Sequence, residues 1–339
     1  MQIVRLVLVI ALSWLTNLAT AQLGGQRSYD FLNLPIGARV SGLGGVVISA
    51  TDEDVNLFLS NPSLLSDNNH NHISWSHLSY YADVKYNAFA YAYDFDKLGT
   101  MAIGVQRMGY GEFDRYDASD NYLGQFSASE TALVVSKSHQ VSLFTMGLSA
   151  KFVTSNLDNV NSSALAFDLG GSFFHPQHEL VASLLFKNFG FVLSDYSATS
   201  KDKLPTDVQL GFTYKPEHMP FRLSTTIYNL SNSEGAYHDP SLSSQKPTWL
   251  DQAFRHVNLG VEIVFSENFN IRTGYNHLIR KELTLEERSG MSGISLGMMA
   301  RIKAFEFSYT WSTYHVAGGR SYFTITSDLN RIFNKKSLL

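Results

Sequence analysis

The strongest constraint on the fold is an alternation of side chains with period two, which recurs from about His72 to Leu329. Between positions 305 and 311, for example, every second residue is aromatic and the residues between them are Glu, Ser and Thr. Successive side chains of a strand point to opposite faces, so each such segment predicts a strand with one apolar face. Fourteen segments follow this pattern: 72–82, 86–95, 98–107, 131–139, 143–156, 163–175, 179–188, 206–214, 221–230, 255–265, 268–277, 291–301, 304–313 and 320–329.

The links between these segments alternate in length. Short links such as 96–97 and 266–267 are followed by long polar segments. The four longest are 108–130, 189–205, 231–254 and 278–290. Residues 83–85 are an exception, because a long loop is expected there and the link is short. An even number of strands of about ten residues, with short turns at one end and long loops at the other, is typical of transmembrane barrels. We therefore predict an all-β fold, a 14-stranded antiparallel transmembrane β-barrel.

A soluble β-sandwich is the competing interpretation, because sandwich strands also alternate between apolar and polar residues. The sorted loop lengths favour the barrel, and so do aromatic residues near strand ends, as at Tyr80-Tyr81, which suit the interfacial girdles of a membrane barrel. The two folds differ at Phe305, Phe307 and Tyr309, which face lipid in a barrel and a protein core in a sandwich.

The N-terminus has the features of a secretion signal. Arg5 precedes an unbroken apolar run from Leu6 to Leu12, and Ala19-Thr20-Ala21 forms an A-x-A cleavage site before Gln22. We expect cleavage near Ala21 and insertion of the mature chain into the outer membrane. The predicted organisation is a signal peptide at 1–21, an N-terminal hatch at 22–70, a barrel at 71–330 and a short basic tail at 331–339.

Composition and motifs argue against several functions. The formal net charge is −4, whereas a nucleic-acid binder needs a basic face. The chain has no cysteine, which excludes disulfides and thiolate metal sites. The eleven histidines are scattered, and the Ser-x-x-Lys matches at Ser200/Lys203 and Ser243/Lys246 lack a Lys-Thr-Gly partner. We therefore predict a protein that is not an enzyme and needs no metal or cofactor.

The stretch from Phe31 to Ser66 is the one part of the chain that does not resemble a strand. Its glycines permit positive φ angles and close backbone approach. Its acidic cluster at 52–54 suits the first turn of a short helix, and Asn61-Pro62 is a helix-start or turn signal. The stretch is too small to bury a core of its own, so we expect a hatch of short helices and turns inside or beneath the barrel.

Charged residues fall on the predicted inner face of several strands. They are Asp168, Lys187, Asp207, Glu262, Arg272, Arg301 and Glu306. Two interpretations remain open: these groups line a wet lumen, or they pair with each other and with the hatch and so brace the barrel.

The hatch residues resemble a known plug. They are, in order, Ala38, Arg39, Gly42, Gly44, Gly45, Asp52, Asp54, Asn61 and Pro62. This order is similar to the N-terminal plug of the FadL-like family of long-chain fatty-acid transporter barrels. The preceding Tyr29 to Pro35 (YDFLNLP), with the same arginine and glycines, resembles more closely the PorQ-type subunits of the Bacteroidetes type IX secretion system. Ser63 stands where the plug pattern has alanine, and the chain ends in Leu339 rather than an aromatic residue.

The PorQ-type resemblance implies a non-enzymatic role. Such subunits belong to the attachment complex at the cell surface, together with the sortase PorU, the shuttle barrel PorV and the surface protein PorZ. The resemblance therefore implies that this chain anchors a PorZ-like partner, next to outer-membrane lipid and the lipopolysaccharide to which cargo is attached.

The loops 108–130, 189–205 and 231–254 are the candidate contact regions, because they carry tyrosines and tyrosine supplies buried area in interfaces. The candidate contact residues in them are Tyr110, Tyr116, Tyr122, Tyr196, Tyr237 and Trp249. The alternative is that these loops only shield the barrel mouth. The alternative function is a FadL-like channel for uptake of hydrophobic small molecules, which needs an apolar pocket in the barrel.

Overall fold

The computed structural model describes residues 28–52, 54–80, 83–197, 202–231, 248–283, 291–315 and 318–333. Its strands are β1 His72–Ser79, β2 Lys85–Phe95, β3 Gly99–Tyr116, β4 Tyr122–Val141, β5 Phe144–Leu157, β6 Val160–Phe174, β7 Glu179–Ser194, β8 Asp207–Lys215, β9 Phe221–Ile227, β10 Val257–Ser266, β11 Phe269–Asn276, β12 Ile294–Ile302, β13 Phe305–His315 and β14 Gly318–Asp328. Consecutive strands pair antiparallel, and β1 pairs with β14, with Trp75 opposite Ile325. The sheet is a closed barrel, which confirms the predicted 14-stranded fold.

The remaining elements are short helices. Four 3₁₀ helices precede the barrel: η1 Asp30–Asn33, η2 Val55–Leu59, η3 Pro62–Leu64 and η4 Asp67–Asn69. The α-helices are α1 Gly37–Gly42, α2 Trp249–Arg255, α3 His277–Leu283 and α4 Leu329–Phe333. None of the helices in the described ranges is long and apolar enough to cross a membrane.

The outer face of the barrel is an apolar belt. Phe305, Phe307 and Tyr309 are 43%, 37% and 39% exposed, while Ser308 and Thr310, at alternate positions of the same strand, are buried. The same alternation holds on β8, where Leu210 and Phe212 point outward. Large apolar side chains exposed on every second position around a closed sheet are what a membrane barrel presents to lipid. The sandwich interpretation is therefore wrong.

The inner face is rich in small and polar side chains. Its buried small residues include Ala88, Ala90, Ala132, Ala164, Ser149 and Thr213. Barrels of 16–18 strands leave an aqueous channel, whereas eight strands are filled by their own side chains. Fourteen strands lined by small residues therefore leave a lumen that another part of the chain can occupy, and the hatch occupies it.

One segment expected to be a loop is largely strand, and a second begins as strand. β3 and β4 run through most of 108–130 and leave only residues 117–121 as the connection. β7 extends to Ser194, inside the expected loop 189–205. The prediction failed because these extensions have weak apolar alternation, and because a bulge between Gly109 and Glu112 breaks the period.

The two ends of the barrel differ. One end, here the turn end, has only short connections and carries both ends of the strand series, since His72 of β1 pairs with Asp328 of β14. The other end, here the mouth, carries the β3–β4 extension and the long connections before β8, β10 and β12. In outer-membrane barrels the end with long loops faces the outside.

Candidate functional site: the hatch and the barrel mouth

Helix α1 lies entirely buried in the lumen against β11 to β14. A helix this short leaves most of its backbone N–H and C=O groups without intrahelical partners. Hydroxyl groups of the barrel wall supply some of the missing partners. The Ala38 N–H donates to Thr324 Oγ1 over 2.9 Å, and Thr310 Oγ1 donates to the Ala38 carbonyl over 2.6 Å. The barrel wall therefore holds the helix at the polar groups that the helix itself cannot satisfy.

A cluster of five charged side chains ties the hatch to the wall. We call it the ionic latch; it consists of Arg39 and Asp52 from the hatch and Arg222, Glu262 and Arg272 from the wall. Arg39 pairs with Asp52 and, over 2.9 Å, with Glu262 Oε2. Glu262 also accepts from Arg222 and Arg272, each over 2.9 Å. Arg39 and Glu262 are only 5% and 2% exposed, so the pair is shielded from solvent.

The latch decides between the two interpretations of the inner-face charges at this position. Glu262 and Arg272 brace the hatch rather than line an open path. Burial alone would raise the pKa of Asp52, but the guanidinium groups of Arg39 and Arg222 outweigh it and lower that pKa. Arg222 was not among the inner-face charges predicted from the sequence, although it alternates with Phe221 and Leu223 in the same way as those charges do with their neighbours.

The glycines of the hatch make the turn after α1. Gly44 and Gly45 have φ angles of +93° and +99°, and the Gly45 N–H donates to the Val40 carbonyl over 2.9 Å. A Cβ at Gly44 would lie 2.1 Å from Asn258 Oδ1 on β10. Asn258 Nδ2 in turn donates to the Leu43 carbonyl over 2.8 Å. The turn therefore needs glycine both for its backbone angles and for its contact with the wall. Gly42 is the last residue of α1 and is buried.

Asn61-Pro62 starts a helix, as the sequence predicted, whereas the acidic cluster supplies the cap of η2 and not its first turn. Asp54 caps η2 by accepting from the Asn56 N–H over 3.0 Å. Asn61 caps η3, with Pro62 at its first position, and donates to the Ile48 carbonyl over 2.8 Å. Ser63, which replaces the alanine of the related pattern, has its hydroxyl 2.6 Å from that of Ser172 on β6.

The wall has glycines where the hatch backbone touches it, a feature missed in the sequence. A Cβ at Gly147 on β5 would lie 2.2 Å from the carbonyl carbon of Pro62. A Cβ at Gly274 on β11 would lie 2.0 Å from the Gly44 nitrogen. No side chain fits at either position while the hatch is in place. These glycines could have been found by noting which inward-facing strand positions lack a side chain.

The tyrosines predicted for partner contact fall into two groups. Tyr116 and Tyr122 face each other across the tip of β3 and β4, with ring centroids 5.8 Å apart, and are 54% and 58% exposed. Tyr110 and Tyr196 instead turn inward, where Tyr110 donates to Glu130 and Tyr196 to Ser155. Tyr237 lies outside the described residues.

The inward group lines a cavity of about 560 Å³ at the mouth. Its lining residues are Ser28, Tyr29, Asp30, Tyr110, Phe113, Phe126, Ala128, Glu130, Ser155, Asn156, Leu157 and Tyr196. Five of these are aromatic and two carry carboxyl groups. Burial raises the pKa of Tyr29 to about 12, so its hydroxyl stays protonated next to Ser162. No sequence pattern indicated this cavity, because its walls come from five separate parts of the chain.

Helices α2 and α3 meet at the mouth through Asp251. His277 Nε2 lies 2.9 Å from Asp251 Oδ1, Arg255 Nε donates to Oδ2 over 2.9 Å, and Lys281 Nζ lies 3.3 Å from Oδ1. Burial alone would raise the pKa of Asp251, but these hydrogen bonds outweigh it and lower the pKa to about 2. Trp249 begins α2 and is 75% exposed.

We expect acid to separate α2 from α3. A carboxyl group whose folded pKa is lowered stabilises the contact above its ordinary pKa, and this stabilisation disappears as the pH falls from about 4 towards 2. The chain has no cysteine, so spin labels attached at Gln252→Cys and Glu282→Cys report the helix separation without background. The distance distribution should be narrow at pH 6 and broad at pH 2.5. Adding Asp251→Asn should make the distance distribution broad at both pH values. A distribution of the Asp251 protein that stays narrow at pH 2.5 would contradict the role of Asp251 in joining α2 to α3.

Among the described residues, no group of three or more His, Asp or Glu side chains is placed to hold a metal ion. The hatch and the mouth provide packing, ion pairs and a largely aromatic cavity.

The fold and the site together define a plugged 14-stranded transmembrane β-barrel. No protein-family model and no curated protein sequence matches the chain. Solved structures do match. One is a deltaS2 mutant of the TodX monoaromatic hydrocarbon channel, with 13% identity, coverage of 86% of this chain and 96% of that chain, and a TM-score of 0.49. Another is a Pseudomonas aeruginosa FadL homologue, with 9% identity, coverage of 87% of this chain and 99% of that chain, and a TM-score of 0.44. The KdgM porin matches less well (9% identity, 76% of this chain and 98% of that chain, TM-score 0.33).

Proposed function

We propose that this chain is a non-enzymatic outer-membrane anchor of a type IX secretion attachment complex and that it holds a PorZ-like partner at the cell surface. The observation that carries the proposal is the lumen filled by a latched hatch. An empty barrel of this size would hold a water channel, whereas the interior of this barrel is occupied by its own N-terminal segment. A barrel built in this way suits a scaffold better than an open pore.

The mouth offers the surface that an anchor needs. Trp249, Leu250 and Phe254 on α2 are 75%, 49% and 50% exposed, and Tyr116 and Tyr122 stand exposed on the β3–β4 tip. Exposed aromatic groups of this kind are enriched at protein interfaces and often dominate their binding energy. The YDFLNLP segment and the hatch glycines supply the family-level support, through their resemblance to PorQ-type subunits. The sortase PorU and the shuttle barrel PorV are the further partners that this proposal implies, and lipopolysaccharide is the surrounding surface.

Substitution Trp249→Ala tests the proposal directly. We expect it to reduce recovery of the surface partner by about tenfold or more, because truncating an anchor aromatic typically removes about 2 kcal/mol of binding. The measurement is affinity purification of the tagged barrel from gently solubilised outer membranes, with quantitative mass spectrometry of the co-purified proteins. Barrel folding should be unchanged, since the side chain is mostly exposed.

The matched control is Phe333→Ala. Phe333 is equally exposed, at 77%, but lies on α4 at the turn end. It should leave partner recovery unchanged. Equal recovery of the surface partner with wild type and with Trp249→Ala would show that Trp249 does not contribute to the contact. A wild-type barrel that purifies without any stoichiometric surface protein would overturn the anchor function itself.

The mouth cavity favours a second candidate, uptake of hydrophobic small molecules. Its volume of about 560 Å³ is within the usual range for ligand pockets, and its walls are largely aromatic. For uptake, the hatch would have to move away from the latch to open a path through the lumen. Solvent extraction of the purified barrel followed by mass spectrometry separates the two candidates: a bound apolar molecule without a protein partner favours uptake.

A further inference from the structure

We propose that the cavity at the mouth is a binding site for an organic ammonium ion. This inference is independent of the anchor function, because it rests only on the walls of the cavity. The walls combine five aromatic rings with two carboxyl groups, and no Lys, Arg or His lines the cavity among the described residues. Aromatic faces and carboxylates both attract cations, and together they are the chemistry that recognises ammonium groups.

A bulge in β3 builds one wall of the cavity. On the lower part of β3, even-numbered residues such as Gln106 and Met108 face inward. Between Gly109 and Glu112 the strand contains one extra residue relative to β4, which shifts the inward face to odd numbers. Phe113 thereby comes opposite Phe126, with ring centroids 5.3 Å apart. Without the bulge, Phe113 would point out of the cavity.

The other walls come from the hatch and from the segment after β7. Tyr29 enters from the hatch and contacts Ser162 on β6. Tyr196 enters after β7 and donates to Ser155 on β5. Both hydroxyl groups are held by serines at the back of the wall, so their rings are fixed at the cavity surface. A preformed ring arrangement lowers the entropy lost when a ligand binds.

Glu130 is the more deeply placed of the two carboxyl groups on which we base the site, and it belongs to the barrel wall. Its side chain is only 7% exposed and lines the cavity. Its hydrogen-bond partners are two neutral hydroxyl groups, those of Tyr110 and Ser155. Burying a carboxylate without a cation is costly, so an arriving ammonium ion supplies the compensating charge that the wall does not.

The rim gives a second sign that these rings attract cations. The guanidinium carbon of Arg115 lies 5.7 Å from the centroid of the Phe126 ring. Arg115 is neutralised by Asp158, so it does not supply charge to Glu130. Anions are disfavoured inside the cavity by Asp30 and Glu130. A neutral hydrocarbon could fill the space but would leave the Glu130 carboxylate without compensation.

The test is calorimetric titration of the purified full-length barrel with choline and with 3,3-dimethyl-1-butanol, which has the same shape without the charge. We expect choline to bind about tenfold more tightly or better, as expected for a desolvated cation on aromatic rings next to a carboxylate. Glu130→Gln, which keeps the size of the side chain, and Phe126→Leu should each weaken choline binding by about tenfold. Glu112→Gln is the matched control, because Glu112 is exposed on the same strand extension and does not line the cavity.

A second arm identifies the source of the ammonium group. Nα-acetyl-lysine methylamide replaces choline, and tighter binding of this compound than of choline indicates a lysine side chain of another protein as the occupant. Either result supports an ammonium site. Equal binding of choline and its neutral isostere, choline binding that survives both Glu130→Gln and Phe126→Leu, or absence of binding by both ammonium compounds would overturn the proposal.

Discussion

Glu262→Gln is expected to release the hatch from the wall while leaving the barrel closed. Glu262 accepts from Arg39, Arg222 and Arg272 at once, so its loss leaves three guanidinium groups with Asp52 as the remaining carboxylate of the latch. Breaking a buried ion pair by removing one partner costs about 3–5 kcal/mol. The cost falls on the contact between hatch and wall, because the strand backbone pairing does not depend on this side chain.

The readout is cleavage by trypsin after Arg39. This residue is buried in wild type and becomes accessible only when the hatch leaves the wall. We expect rapid cleavage in Glu262→Gln and resistance in wild type. The barrel itself should still migrate as a folded species in gel electrophoresis of unheated samples. The matched control is Glu306→Gln, which removes a single, partly exposed pair with Arg301 and should cost about 1 kcal/mol or less. Equal resistance of Glu262→Gln and wild type would show that the latch does not hold the hatch.

Gly147→Val is expected to exclude the hatch from its seat by volume alone. The added Cβ would lie 2.2 Å from the carbonyl carbon of Pro62, and neither backbone can yield without moving η3. Overpacking of this kind costs on the order of 3 kcal/mol. We expect protection of the hatch from hydrogen exchange to fall around Asn61 to Leu64, because that turn loses its wall contact.

The control for this variant lies on the adjacent strand. Gly171 on β6 has no atom within 4 Å of the position its Cβ would take, and it neighbours Gly170, the partner of Gly147. Gly171→Val adds the same side chain at nearly the same height and should leave exchange in the hatch unchanged. If both variants behave alike, the effect comes from the strands and not from the hatch.

Much of the architecture was predictable because lipid imposes a simple pattern. The alternation of Phe305, Phe307 and Tyr309 with small polar residues identifies a strand with one face in an apolar solvent, and all fourteen strands were predicted from it. Asn61 was identified as a helix-start residue because caps are local and depend on few neighbours. Above the belt this pattern weakens, so the extensions of β3 and β4 were assigned as a loop.

The site was harder to predict because it depends on contacts between distant parts of the chain. Glu262 and Arg272 were placed on the inner face from the alternation. Arg39, the hatch partner of Glu262, lies more than two hundred residues away, and nothing in the sequence pairs the two. Gly147 is informative only once Pro62 is known to touch it. Glu130 was missed because the bulge that completes its cavity changes the direction of Phe113, and a period-two pattern cannot show a change of phase.

The central claim is that the latched hatch closes the lumen, and single-channel recording in planar bilayers tests it most directly. Purified wild-type protein should insert without lasting conductance steps, while Gly147→Val, with its hatch displaced, should give steps of the size that a water-filled 14-stranded barrel allows. Stable open-channel currents from wild type, equal to those of Gly147→Val, would contradict the closed-barrel account and favour a conducting channel.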